Sequence, residues 1–303
     1  MAEETKISWA DATFNHVRGC TKVSEGCKHC YAETLSKRNP TVLGMWGPQG
    51  TRVMASESYW RQPIKWDKEA QEQGVRRRVF CASLADVFEG PETCSEEAYK
   101  VIEEARKRLF ETIDATPHLD WLLLTKRPEN IERLWPWGYY DDQFSWPNVW
   151  LGTSVENQAA ADKRIPELLK VPAKVRFLSC EPLLGAVDFR KVPGLNRDGA
   201  EKAIHWVIVG GESGPHARPM NPAWARSLRD QCAVADVPFH FKQWGAWEFF
   251  TQVPAPLRDL ELAPLSATEA RFDNGDHACI MQRADKNTSQ DVLDGKKHKE
   301  FPA

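Results

Sequence analysis

The sequence predicts an α/β protein: a partial or complete TIM-type βα barrel of about six to seven parallel strands, plus an irregular insertion and a C-terminal extension. Three observations carry that expectation. Short apolar, β-branched or aromatic runs recur along the chain, amphipathic stretches lie between them, and each run ends in a small polar cluster. A doubly wound open sheet is the other closure that the same pattern allows.

The runs occupy residues 78–83, 120–125, 149–154, 174–179, 205–210 and 238–242. Strands covered on both faces read as near-continuous apolar runs of this kind. An earlier strand around residues 7–14 brings the count to about seven. Between the runs, Thr93 and Glu96 have the spacing of a capping box, and Ala98, Val101, Ile102, Ala105 and Leu109 then recur at helical spacing. Asn221-Pro222 offers an N-cap followed by proline at the first helical position, with Trp224, Leu228 and Cys232 on one face. Pro128 ahead of Ile131, Leu134 and Trp135 is a shorter version. Residues 38–66, with Pro40, Pro48, Pro63, Gly44, Gly47 and Gly50, read as an irregular insertion able to cover a site mouth. The barrel therefore takes residues 1–248 and the extension 249–303, which ends in the run Lys296-Lys-His-Lys299.

Composition narrows the function classes. Of the 303 residues, 42% are hydrophobic and 27% charged, the balance of a globular domain. The net charge of −3 argues against a broadly basic nucleic-acid binder but leaves room for a local basic groove. No stretch is apolar for long enough to span a bilayer, and the acidic start Met-Ala-Glu-Glu is no secretory signal. A cytoplasmic, reducing setting follows, in which the eight cysteines are thiols or ligands rather than bridges.

In a parallel barrel, chemistry sits at the carboxyl ends of the strands. Those positions here are Ser83 with Asp86; Thr125-Lys126-Arg127; Ser154 with Glu156; Ser179-Cys180-Glu181; Gly210-Gly211-Glu212; and Lys242-Gln243-Trp244. Ser83, Asp86, Ser154, Glu156, Glu181 and Glu212 are candidates for binding a cofactor's amino group or hydroxyls. Lys126, Arg127 and Lys242 suit an anionic substrate, and Trp244 a ring. Cys180, beside Glu181, could donate a hydrogen atom to a product radical; a buried strand cysteine would look the same.

The most informative segment is Cys20, Cys27 and Cys30 in one polar loop, spaced C-x6-C-x2-C. Three thiolates can hold a [4Fe–4S] cluster with one iron left open. A zinc site would take a fourth ligand, with His16 or His29 near in sequence. Plain thiols in a turn are the third reading.

A three-cysteine loop after the first strand of a βα barrel resembles the radical S-adenosylmethionine enzymes. The resemblance implies Cys20, Cys27 and Cys30 as ligands of a [4Fe–4S] cluster whose open iron binds S-adenosylmethionine, and an external electron donor. His29 would take the place of the residue before the last cysteine, with Tyr31 beside it in the cofactor site. The usual spacing is C-x3-C-x2-C, so this loop carries three extra residues in its first gap. More closely, the chain resembles a bacteriophage and bacterial family, the phage-type three-cysteine proteins. The likeness rests on Gly19-Cys-Thr-Lys-Val-Ser-Glu-Gly-Cys-Lys-His-Cys-Tyr-Ala-Glu33, Ser58-Tyr-Trp-Arg-Gln-Pro63, Leu122-Leu-Leu-Thr-Lys-Arg127, Gly152-Thr-Ser-Val-Glu-Asn157, Ser179-Cys-Glu-Pro-Leu183, Gly210-Gly-Glu-Ser-Gly214 and Phe241-Lys-Gln-Trp-Gly245. It implies a 5′-deoxyadenosyl radical enzyme and leaves the reaction open. DNA-repairing spore photoproduct lyases supply one analogy, and a nucleic-acid base or nucleotide is one substrate class. Two rival readings remain: a zinc-stabilised nucleic-acid-binding protein without catalysis, and a metal-dependent hydrolase.

Overall fold

In the computed structural model of the chain, the described residues are 5, 7–135, 146–192, 194–195, 204–254, 269–273, 277–284 and 291–302. The first strand, β1 (Ala12–Thr13), is followed by β2 (Val17–Arg18) and then by the cysteine loop, which leads into α1 (Tyr31–Ser36). Residues 38–66 are not wholly irregular. They hold α2 (Pro40–Leu43), β3 (Val53–Met54), α3 (Glu57–Trp60) and the start of α4 (Gln62–Gln73). Helix α4 has local causes: Pro63 lies in its first turn, Trp66 and Ala70 are buried one turn apart, and Gly74 ends it in the left-handed region at φ 64°.

Strand β4 (Arg77–Cys81) leads to α5 (Glu96–Asp114) and β5 (Leu119–Thr125). The cap of α5 is Ser95, whose side chain accepts from the Ala98 amide. Thr93, expected in that role, instead ends a 3-10 turn one step earlier and donates its hydroxyl to the Gly90 carbonyl. Then come α6 (Ile131–Leu134), β6 (Val149–Ser154), α7 (Gln158–Lys170), β7 (Val175–Cys180) and β8 (Trp206–Gly210). Helix α8 (Pro222–Ala235) starts as its sequence predicts, with the Asn221 side chain accepting from the Ala223 amide. Strands β9 (Phe239–Gln243), β10 (Trp247–Pro254), β11 (Glu269–Asp273) and β12 (His277–Arg283) complete the order.

Seven strands make one sheet in the order β1-β4-β5-β6-β7-β8-β9. The order runs almost straight through the chain, as repeated right-handed βα units require. Strands β1 and β9 are its two ends, so the expected βα barrel takes its partial form. Strands β10, β12 and β11 form a separate antiparallel sheet, and β2 pairs with β3.

The chain divides into two compact units, residues Met1–Ser154 with Lys163–Phe177 and residues Val155–Asp162 with Leu178–Ala303. In the first, β1 and β4 pair in parallel, as do β4 and β5, and β5 and β6. Val79, Trp121, Leu122, Ile102, Leu109 and Ile113 are buried in the core of this unit. Gly152 lies against the Phe177 ring so closely that a Cβ there would overlap it. In the second unit, β8 pairs in parallel with β9. The last residues of the chain return antiparallel along β9. The Phe241 amide donates to the His298 carbonyl at 2.9 Å, and the Trp206 indole donates to the Glu300 carbonyl at 2.8 Å. No helix among the described residues is long and apolar enough to cross a membrane.

Candidate functional site

The first unit places the cysteine loop at the carboxyl ends of its strands. Gly19 starts the loop at φ 104°, with the Thr51 carbonyl 2.5 Å from where a Cβ would stand, so only glycine fits. Its amide donates to the Leu84 carbonyl just beyond β4. The Tyr31 hydroxyl, at the far end of the loop, donates to the Ser83 carbonyl at 3.0 Å. Asn15 holds this corner: its side-chain oxygen accepts from the Ser83 and Leu84 amides, both at 2.8 Å.

All three cysteines are free thiols and half-buried. Cys20 keeps some open surface yet is densely surrounded. Burial first, and the Glu89 carboxylate second, push its thiol up to about 12, with the Arg127 guanidinium opposing them. Arg127 Nη1 stands 3.9 Å from Cys20 Sγ, while Nη2 donates to the Thr21 carbonyl at 2.7 Å. Cys27 ends a 3-10 turn, with its sulfur 3.9 Å from Ser24 Oγ, and Cys30 immediately precedes α1. His29 is half-buried between them. Among the described residues, no three His, Cys, Asp or Glu side chains are grouped so as to hold a metal ion.

The two cations expected on an open rim have other partners. Arg127 is buried and pairs with Asp86 at 2.9 Å. Burial works to raise the Asp86 carboxyl, but Arg127, the Thr125 hydroxyl and the Lys126 and Phe88 amides outweigh it and hold it below the usual range. Asp86 therefore anchors Arg127, and its oxygens are already engaged. Lys126 is half-buried and donates to Ser154 Oγ at 3.0 Å; Ser154 itself is buried.

The second unit gathers another polar group. Glu181 Oε1 accepts from Lys242 Nζ at 2.6 Å and from Gln243 Nε2 at 3.3 Å, joining the ends of β7 and β9. Both charged side chains keep about a fifth of their surface open, 20% for Glu181 and 22% for Lys242. Glu212 is buried and gripped by Arg218 through both carboxylate oxygens, at 2.6 and 2.9 Å. Glu156 is buried, and its carbonyl accepts from the Leu184 amide. Cys180 is fully buried, and that burial pushes its thiol well up, helped by Cys232 and Glu156. Trp244 was expected to stack on a ligand ring. Its indole is buried instead, edge-on to Phe241 at 4.9 Å, and donates to the Val292 carbonyl. The Gly210-Gly211 pair has a backbone cause as well: a Cβ on Gly211 would overlap the Trp244 carbonyl.

The chain matches the family described as "Protein of unknown function (DUF5131)" over residues 4–302. The chain belongs to that family. No curated protein matches it. Among solved structures, this DUF5131 chain is similar to a cysteine-to-serine mutant of spore photoproduct lyase. The identity is 14%, the match covers 91% of this chain and 70% of the other, and the TM-score is 0.44.

Arg52 and Glu89 in the first unit and Arg218 in the second are not marked out by the sequence. Glu89 had only a local signal, an acid directly after the apolar pair Val87-Phe88, which asks for a buried partner. Arg52 and Arg218 had none, since their value comes from contacts made only in the fold.

Proposed function

We propose that the protein is an iron–sulfur enzyme of the radical S-adenosylmethionine kind, with Cys20, Cys27 and Cys30 holding a [4Fe–4S] cluster. The observation that carries this reading is the placement of three free thiols in one loop that is tied at both ends to the carboxyl ends of β4 and β5. The donor set fits the group. Three unbridged thiols supply soft ligands for three irons and leave the fourth open.

A cluster held by Cys20, Cys27 and Cys30 would supply the one-electron reduction that splits the sulfonium of S-adenosylmethionine into methionine and a 5′-deoxyadenosyl radical, the electron coming from an external donor. The chain's own residues bind and orient. Arg127 neutralises charge beside Cys20 and fixes its loop. Tyr31 fastens the loop's exit to Ser83. In the first unit, the half-buried Lys126 suits an anionic group; in the second, the partly open Glu181–Lys242 pair offers both signs of charge. Asp86 in the first unit is buried and held by Arg127, and Glu212 in the second is buried and held by Arg218, while Glu156 of the second unit is buried.

Protein purified without oxygen should contain about four iron and four acid-labile sulfide per chain. Reduced protein with S-adenosylmethionine should release 5′-deoxyadenosine, and Cys27→Ala should not. One zinc with no sulfide would overturn the reading.

A further inference from the structure

The buried ion pairs of the first unit converge on one residue, and it is the neighbour of Cys20. Thr21 is held at three atoms. Its amide donates to Glu89 Oε1 at 3.0 Å, its hydroxyl accepts from Arg52 Nη2 at 2.8 Å, and its carbonyl accepts from Arg127 Nη2 at 2.7 Å. Arg52 and Glu89 are themselves joined by two bonds, at 2.9 and 2.7 Å, with side chains 0% and 1% exposed. Arg106 on α5 donates to the carbonyls of Val87 and Glu89 and so fixes the backbone that carries the acid. Arg52 also donates to the carbonyls of Met45 and Thr51, and the Cys20 carbonyl accepts from the Gly47 amide at 3.0 Å.

Burying three arginines and two acids in one place is costly unless the charges are balanced and their hydrogen bonds are met. An apolar set of the same size would stabilise the unit as well or better, so stability alone does not account for the arrangement. Its shared target is the backbone beside one thiol. The backbone bonds at Cys27 and Cys30, by contrast, are local turns (Cys27 amide to Ser24 carbonyl, Lys28 amide to Glu25 carbonyl, Thr34 amide to Cys30 carbonyl), and the tie beside Cys30, Tyr31 hydroxyl to Ser83 carbonyl, is a single uncharged bond.

We propose that Arg52 and Glu89, with Arg127, are positioning residues that lock Cys20 in place as the preset member of the three-thiol set. The role assigned to Cys20 rests on the iron–sulfur reading; the lock itself does not. A planar guanidinium is what the geometry needs, because Arg52 serves a carboxylate, a hydroxyl and two carbonyls in different directions at once. A lysine ammonium of the same charge cannot span them.

The test compares Arg52→Lys and Thr21→Val with the full-length parent. Amide hydrogen exchange is followed by mass spectrometry on reduced, metal-free protein. Both variants should speed exchange in peptides covering residues 19–21 by about tenfold, with peptides from β4 and α5 unchanged. After reconstitution with iron and sulfide, iron retention against a chelator should fall by about 10- to 100-fold. Unchanged exchange at 19–21, or acceleration spread equally over β4 and α5, would overturn the lock and leave the network a plain structural one. If Arg52→Lys fails to fold, Thr21→Val decides, because it removes one acceptor and leaves every charge paired. Faster exchange at 19–21 in protein that takes up no iron would keep the lock and sink the iron–sulfur reading.

Discussion

Asp86 and Arg127 meet at 2.9 Å beneath the cysteine loop, and the same guanidinium reaches 2.7 Å to the Thr21 carbonyl. One buried ion pair therefore connects the end of β5 to the residue after the first cysteine. Asp86→Asn should leave Arg127 short of a counter-charge in a buried place and destabilise the protein by up to about 3–5 kcal/mol. Chemical denaturation of the metal-free protein measures this, and a change under about 1 kcal/mol would show that Glu89 alone balances the guanidinium.

The same pair sets a pH dependence. The Asp86 carboxyl is held below its usual value in the folded state. Its contribution to stability is thus complete above the unfolded value of about 3.9 and disappears as pH falls through the lower folded value. Melting curves of the parent should fall steeply on the acid side, and Asp86→Asn should flatten that limb. An unchanged acid limb would assign the loss to other carboxylates.

Cysteine reactivity should separate into two classes. Cys81, Cys180 and Cys232 are buried, and burial pushes all three thiols upward. Cys27 and Cys30 retain surface. Under native, metal-free conditions, iodoacetamide should modify Cys27 and Cys30 and spare the buried three, read by peptide mass spectrometry. Rapid labelling of Cys180 would contradict its burial and open the way to a role as hydrogen-atom donor.

Gly152 shows how tightly the sheet of the first unit is packed. A methyl group at this position meets the Phe177 ring directly. Gly152→Ala should cost about 1–3 kcal/mol, whereas Gly74→Ala, with nothing within 4 Å of its Cβ position, should pay only the strain of its left-handed backbone. A Gly152→Ala variant that melts with the parent would mean that Phe177 moves aside freely.

The strands were legible because runs such as 149–154 are apolar throughout and end in recognisable punctuation; that run and β6 coincide. The cysteine trio was legible because its spacing is local. Helix α4 was missed although Pro63, Trp66, Ala70 and Gly74 spell it out, since the prolines and glycines before it masked the helical period. Trp244 was misplaced for a different reason. Its position after β9 is a strand end, but a strand end can be roofed, and the segment that roofs it comes back from Val292. Arg52 and Glu89 stand 37 residues apart, and their pairing leaves no mark on either local pattern.

The returning segment supplies the last expectation. Strand β9 is the end strand of the seven, and an end strand offers unpaired amides and carbonyls to any passing chain. Here residues 291–302 occupy part of that edge. His240 bridges to Lys299, the Phe239 amide donates to the Glu300 carboxylate at 3.0 Å, and Arg226 and Arg229 both clamp Asp294. The Trp206 indole and the Trp244 indole each donate to a carbonyl of the same stretch, so its removal would orphan two buried donors as well as bare the edge. Truncation after residue 290 should therefore lower the melting temperature and shift the protein to oligomers on size-exclusion chromatography. Asp294→Asn, which removes the clamp's charge and keeps a side chain that tolerates the left-handed backbone at φ 51°, should cost no more than about 1 kcal/mol and leave the elution volume unchanged. A truncated protein that elutes at the parent's subunit count and melts with the parent would show that β9 needs no cover.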